Sequence, residues 1–199
     1  MDKNVLRGIP MLHLDNQVDN SLKEDQLQRL VQVLKTDDNR LVCLILMFLL
    51  STGARLREGL SARWDQVDRQ NAIWKIPASN TKSKRTKYLP LNESALWVLD
   101  HLESEGSSVF LFPSPVTGKP FSGITRTWYK LRRKAGLPPN VRIHDLRHTY
   151  ASRLVSSGQS LFLVQELLGH ADPRTTMRYA HLNMQSKHQA ASVAALPLT

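Results

Sequence analysis

The ten residues from Leu41 to Leu50, L-V-C-L-I-L-M-F-L-L, contain no charged or amide side chain. A helix over roughly residues 38–51 is then apolar nearly all round, and such a helix is stable in water only when other elements cover every side of it. Ten residues are also too few to cross a bilayer, which takes about 20. The run therefore predicts a central core helix around which the rest of the chain must pack.

The flanking sequence supplies candidates to cover it. Leu27, Leu30, Val31 and Leu34 fall on one face at helical spacing. Ser21 and Glu24 ahead of them match the capping box that opens a helix. Residues 1–20 show neither helical nor strand period, hold Gly8, Pro10, Asp15 and Asn16, and read as a linker. Gly53 breaks the central helix and lets a new one begin. Residues 72–77 and 86–91 read as two strands, joined by the polar stretch 78–85 as a hairpin. Amphipathic helices are expected over 93–105, around Ile124, Trp128 and Leu131, from His144 to Gly158, and over 161–168. Asp172 and Pro173 supply an N-cap and a preset first residue for a last helix reaching Tyr179.

Of 199 residues, 27 are Lys or Arg against 17 Asp or Glu, a formal net charge of +10. That surplus suits a polyanion-binding surface, because each phosphate neutralised releases condensed counterions. The basic helix with Arg126, Lys130, Arg132, Arg133 and Lys134 reads equally as a phosphate-contacting face or a solvated one. Cys43 is the only cysteine, so no disulfide can form within the chain, and a reducing cytoplasm fits. No secretory signal follows Met1.

The chemistry concentrates between Val141 and Leu182. His144 and Arg147 stand three residues apart, on one helix face. His170 follows in L-G-H, and Tyr179 in R-Y-A-H-L. A hydroxyl nucleophile, a fixed cation and two imidazoles are what attack on a phosphate diester requires. His144 and His148 have the i, i+4 spacing of a zinc pair, but no Glu follows the first and Arg147 between them repels a cation, so no metal is expected.

H-x-x-R, L-G-H and R-Y-A-H-L, in that order and spacing, resemble the carboxyl-terminal half of the tyrosine recombinase, or phage integrase, family. T-G-A-R-L-R-E at 52–58 resembles the place where that family carries its first catalytic Arg. From position alone Arg55 reads equally as a surface cation; the resemblance makes it catalytic and makes Glu58 its structural partner. T-K-S-K-R-T-K-Y-L-P-L resembles the hairpin with the family's mobile catalytic Lys, which falls on Lys82, with Lys84 the rival.

The resemblance implies a mainly α domain with a small antiparallel β-sheet (α+β), the DNA breaking-rejoining fold. It divides the chain into a linker at 1–20 from an N-terminal DNA-binding domain, a catalytic domain at 21–183, and a tail at 184–199 that contacts another subunit. The implied function is site-specific recombination through a covalent 3′-phosphotyrosine, without metal, cofactor or ATP. On this reading Arg55, Lys82, His144, Arg147, His170 and Tyr179 are catalytic. Arg55 and Arg147 meet charge on the phosphate, His144 accepts the phenol proton, His170 donates to a phosphate oxygen, and Lys82 protonates the leaving 5′ oxygen. His148, His181 and His188 are expected to be structural or exposed. The expected partners are double-stranded DNA attachment sites, three further copies in a homotetramer on DNA, and accessory DNA-bending proteins, in the cytoplasm of a bacterial host. A type IB topoisomerase and a non-catalytic DNA-binding module are the alternatives.

Overall fold

The computed structural model describes residues 21–81 and 83–182; the expected linker, Lys82 and the expected tail lie outside the described residues. The central helix is as the sequence requires. Helix α2 (Arg40–Thr52) buries Val42, Cys43, Leu44, Ile45, Leu46, Phe48 and Leu49. Full burial of each large aliphatic or aromatic side chain contributes about 1.5–3 kcal/mol, so this one helix anchors the domain. It packs against α1 (Glu24–Thr36), α3 (Leu56–Leu60), α4 (Glu93–Asp100) and α6 (Ile143–Ser156).

Helix α1 presents Leu27, Leu30 and Leu34 to the core, as its spacing predicts, but it starts later than the Ser21–Glu24 capping box implies. The Lys23 amide donates to Gln26 Oε1 at 3.0 Å instead. The reason is tertiary: Leu22 is buried and its amide donates to Thr149 Oγ1 on α6, which holds residue 22 outside the helix.

A three-stranded antiparallel sheet, β1 (Val67–Asp68), β2 (Ile73–Ile76) and β3 (Lys87–Pro90), covers another side of the core. Trp74 pairs with Leu89 and Ile76 with Lys87 across β2 and β3. The two-residue β1 is too short to show a period and exists only because β2 offers it an edge. The α4 helix ends at Asp100, before the expected residue 105. Beyond it Ser104 Oγ donates to the Leu111 carbonyl at 2.7 Å and accepts from Trp64 Nε1, which draws the chain off the helical path.

Helix α5 (Thr125–Lys134) buries Trp128 and Leu131 and ends in a basic turn. Part of its charge is used internally. Lys134 pairs with Asp37, and Arg132 donates to the Val141 carbonyl. Arg126, Lys130 and Arg133 stay exposed. Helices α7 (Leu161–Leu168) and α8 (Arg174–Met177) complete the fold. They form, with α6, a second small core of Ala151, Val155, Val164, Leu168 and Tyr179. Among the described residues no helix is long and apolar enough to cross a membrane.

Gly53 closes α2 with φ +63°, the left-handed conformation that an added Cβ disfavours. A Cβ there would also lie 2.3 Å from Tyr150 Cδ1 on α6. Backbone strain and overpacking together predict that Gly53→Ala destabilises the domain by about 2–4 kcal/mol, read as a lowered urea midpoint at unchanged m-value.

Candidate active site

Three segments distant in sequence meet around the carbonyls that close α7. The first is the α2–α3 turn. Arg55, at the start of α3, donates from its main-chain amide to Glu58 Oε2 at 2.9 Å and from Nη1 to Glu58 Oε1 at 2.8 Å. The carboxylate is buried, so it fixes the guanidinium as a rigid fork. Nη2 of Arg55 reaches the Gly169 carbonyl at 3.4 Å. The expectation that Glu58 serves as a structural partner agrees with this geometry.

The second segment is α6. Arg147 is 4% exposed, and its two terminal nitrogens donate to the Gly53 carbonyl at 2.9 Å and the Leu168 carbonyl at 2.6 Å. It thereby ties the α2–α3 turn to the end of α7. Burial and the neighbouring Arg55 lower its pKa to about 10, which still leaves it charged at neutral pH. The third segment is the α7 C-terminus. Gly169 takes the left-handed conformation, φ 65°, and turns the chain so that His170 faces the same space. His170 Nδ1 is 2.9 Å from Thr176 Oγ1, which fixes the ring. Burial first, then Arg147, Arg55 and Lys87, push its pKa down to about 3, so the ring is neutral.

Lys87 belongs to this site although none of the motifs marks it. It follows Thr86 at the start of β3, its ammonium donates to the Leu168 carbonyl at 3.2 Å, and it lies 4.0 Å from Glu58 Oε2. It packs closely on the α7 terminus: a Cβ on residue 169 would sit 3.0 Å from Lys87 Cδ, a tight contact at a position whose φ of 65° already favours glycine. The available signal was its strand parity. Lys87 and Leu89 share the buried face of β3, and a Lys on that face needs a buried partner. Lys84, the rival for the catalytic lysine, is held in the hairpin with φ 53°.

Burial, with Arg147 and Arg55 adding repulsion and Glu58 only partly offsetting it, lowers the Lys87 pKa to about 7. The unfolded lysine keeps a pKa near its usual 10.5, so between those values the unfolded state binds more protons and folding stability rises with pH. Urea unfolding of the wild type between about pH 7 and pH 10 is expected to show this slope, approaching about 1.4 kcal/mol per pH unit in mid-window. Lys87→Met, of similar length, flattens the slope; an unchanged slope in the variant contradicts the assignment.

Tyr179 lies just beyond α8, which ends at Met177 rather than carrying the tyrosine as expected, and its amide donates to the Thr176 carbonyl. The ring packs into the second core, and the hydroxyl meets His148 Nδ1. Two expectations change here. His148, read from sequence as structural or exposed, touches the phenol oxygen, whereas the contact expected of His144 goes to His148. His144 is exposed, and its ring meets the His148 ring edge-on at 4.8 Å between centroids. Although the residue as a whole is exposed, desolvation of its ring against the neighbouring elements and then Arg147 push the His144 pKa down. Arg147 also lies close enough to Tyr179 for negative charge on the phenol to favour its protonated form. The site thus holds three cations, one carboxylate and a phenol, with room in its charge balance for an anion.

A family model described as phage integrase family matches residues 20–186. The chain belongs to the phage integrase family. The integrase of Escherichia phage 186 is 30% identical over 162 residues, covering 80% of this chain and 43% of that protein. Tyrosine recombinase XerC of Lactobacillus delbrueckii subsp. bulgaricus is 32% identical over 152 residues, covering 71% and 50%. The chain therefore spans half or less of the length of these curated relatives. The catalytic domain of bacteriophage HP1 integrase superposes with a TM-score of 0.65 at 28% identity, over 89% of this chain and 95% of that one. A crystal structure of XerA recombinase gives a TM-score of 0.69 at 28% identity, over 88% and 63%. The likeness covers the mainly helical architecture and its small antiparallel sheet.

Proposed function

We propose that this chain is the catalytic part of a tyrosine-type site-specific recombinase, which cuts and rejoins double-stranded DNA through a 3′-phosphotyrosine. The single observation that carries the reading is convergence: Arg55, Arg147 and His170 surround the α7 terminus, and the hydroxyl of Tyr179 lies beside the same Arg147. A phosphodiester anion offsets the repulsion among Arg55, Lys87 and Arg147. The two guanidiniums then meet the charge that grows on its non-bridging oxygens, with permanently protonated, prepositioned donors. Neutral His170 donates a further hydrogen bond to a phosphate oxygen. Lys82, in the β2–β3 hairpin, protonates the leaving 5′ oxygen. The phosphoester bond to Tyr179 conserves the energy of the broken strand, so the 5′ hydroxyl of another strand can reverse the step without ATP, cofactor or metal.

The relatives' names support this reading: they are integrases and XerC recombinases, and a structure of XerH, related in fold at 24% identity, is described as bound to its difH substrate. On the same reading residues 1–20 lead from a DNA-binding domain, and the protein works as a homotetramer on attachment sites in the bacterial cytoplasm, with accessory DNA-bending proteins. The tail at 184–199 docks on a neighbouring subunit. A groove of about 730 Å³ lined by Leu27, Val31, Met47, Leu50, Trp97 and Leu154 is the apolar surface suited to receive its Val193–Leu198 patch.

The test works whatever the attachment sequence is. A library of nicked duplexes with randomised cores, built so that cleavage releases a short 5′-hydroxyl fragment, is incubated with the chain. Protein-linked DNA is then recovered under denaturing conditions and sequenced. The expected result is an adduct whose linkage maps to Tyr179 by mass spectrometry. Retention of DNA without any adduct would leave only a binding module, and relaxation of supercoils without exchange between two sites would favour a type IB topoisomerase.

A further inference from the structure

We infer that His148 is a catalytic residue of the strand-cleavage reaction, accepting the Tyr179 proton at Nδ1 as the phenol oxygen bonds to phosphorus. The inference rests on the recombinase reading above and deepens it. Three features of the geometry carry it. The His148 ring is the imidazole in direct hydrogen-bond contact with the nucleophilic oxygen, and it approaches with Nδ1. Its position is fixed on both sides, by α6 one residue after Arg147 and by the Tyr179 ring at 6.0 Å between centroids. Exposed His144 then packs edge-on against the His148 ring at 4.8 Å between centroids, a further contact that holds its plane.

The step balances as follows. The Tyr179 Oη–H bond breaks and its proton passes to the bare Nδ1 of an Nε2-protonated, neutral imidazole. The Oη–P bond forms, the P–O5′ bond breaks, and the 5′ oxygen takes a proton from the general acid. Religation runs the same transfers backward, with His148 returning its proton to the phenol oxygen.

The groups facing His148 are His144 and Asp145 on its own helix, Arg142 at that helix's N-cap, His170 beyond α7 and Arg178 beside Tyr179; burial first, then His144 and Arg178, hold its pKa down to about 4. The ring is therefore neutral at working pH and free to accept. A DNA phosphate arriving among these cations offsets their effect and strengthens the base when substrate is present. Arg147, one residue away, stabilises the phenol oxygen as it loses its proton.

Two measurements test the assignment. The first needs no DNA: nitrogen NMR of the histidine-labelled chain is expected to show His148 Nδ1 unprotonated and accepting a hydrogen bond that vanishes in Tyr179→Phe. A protonated Nδ1 would overturn the proposal. The second follows adduct formation against pH, using the duplex recovered from the library. Wild type is expected to show no rise with pH between about pH 6 and pH 9, since its base is already free, while any fall near pH 7 tracks Lys87 and is absent from Lys87→Met. His148→Ala is expected to be slower by about 10²–10³-fold at pH 7 and to regain about tenfold per pH unit as phenolate forms without help. Added imidazole should restore part of the loss, and His148→Gln, which keeps a polar side chain of similar reach but cannot take a proton, should behave as His148→Ala does.

A uniform loss across pH with no imidazole rescue makes His148 a positioning residue only, and a faster His148→Ala makes the contact a latch on the nucleophile; either overturns the inference. Should wild type form no adduct on any library member, the recombinase reading fails by itself, while the NMR result still decides whether His148 can accept the phenol proton.

Discussion

Tyr179→Phe is expected to form no covalent adduct with DNA at any pH, while binding the same duplexes as tightly as wild type. The substitution removes one oxygen and keeps the ring, which packs against Ala151, Val155, Val164 and Leu168. The fold should change little: one hydrogen bond to a half-buried His148 is lost, worth about 0.5–1.5 kcal/mol. The catalytic effect is total because the site offers no substitute. Cys43 is buried in α2 with its thiol pKa pushed up to about 11 by burial. Tyr150, the other tyrosine on the flanking helix, lines the apolar groove between α1, α2, α4 and α6, and burial raises its pKa. Tyr150→Phe is thus the control that should keep adduct formation. Adduct formation by Tyr179→Phe at even a hundredth of the wild-type yield would remove the nucleophile from Tyr179.

Arg147→Gln is expected to slow adduct formation by at least about 10³-fold, from loss of charged, bidentate donors in a site sheltered from water. Arg147→Lys should recover only part of this, because one ammonium cannot span the Gly53 and Leu168 carbonyls as the guanidinium does. Stability is expected to change far less, by no more than about 2 kcal/mol, because two effects oppose each other. The Gly53 carbonyl loses its side-chain donor, whereas the Leu168 carbonyl keeps Lys87. Removing one of three crowded cations also relieves Lys87 and His170, whose low pKa values Arg147 helps to cause. Both should titrate at higher pH in the variant, and nitrogen NMR of His170 reads this directly. If Arg147→Gln instead unfolds the domain, Arg147 is a structural strut; if it stays folded with the Lys87 and His170 titrations unmoved, the shared-charge reading of the site is wrong.

Much of the chemistry was legible from the chain alone because it is written in local spacing. His144 and Arg147 fall on one face of α6 by helical period alone, and Gly53 and Gly169 mark the turns where left-handed backbone is needed. The proton acceptor was not legible in that way. His144 and His148 are one turn apart on the same helix, and which of them meets Tyr179 depends on where the α7–α8 segment crosses α6. Lys87 was hidden for a similar reason: the strand over 86–91 gives its parity with Leu89, but only the packing of β3 beside β2 turns that face inward and brings the ammonium to Glu58.

The sequence by itself determined a core built on α2, the order of helices around it, the surplus of positive charge, and a set of phosphate-directed groups in a spacing that names their family. Those properties depend on near neighbours along the chain, where helical and strand periods act. Only the tertiary structure decided that three cations share one carboxylate at the end of α7, that Lys87 is among them, and that the phenol oxygen faces His148. Such meetings join residues separated by up to 114 positions, and they follow from the packing of whole elements, which no local period encodes.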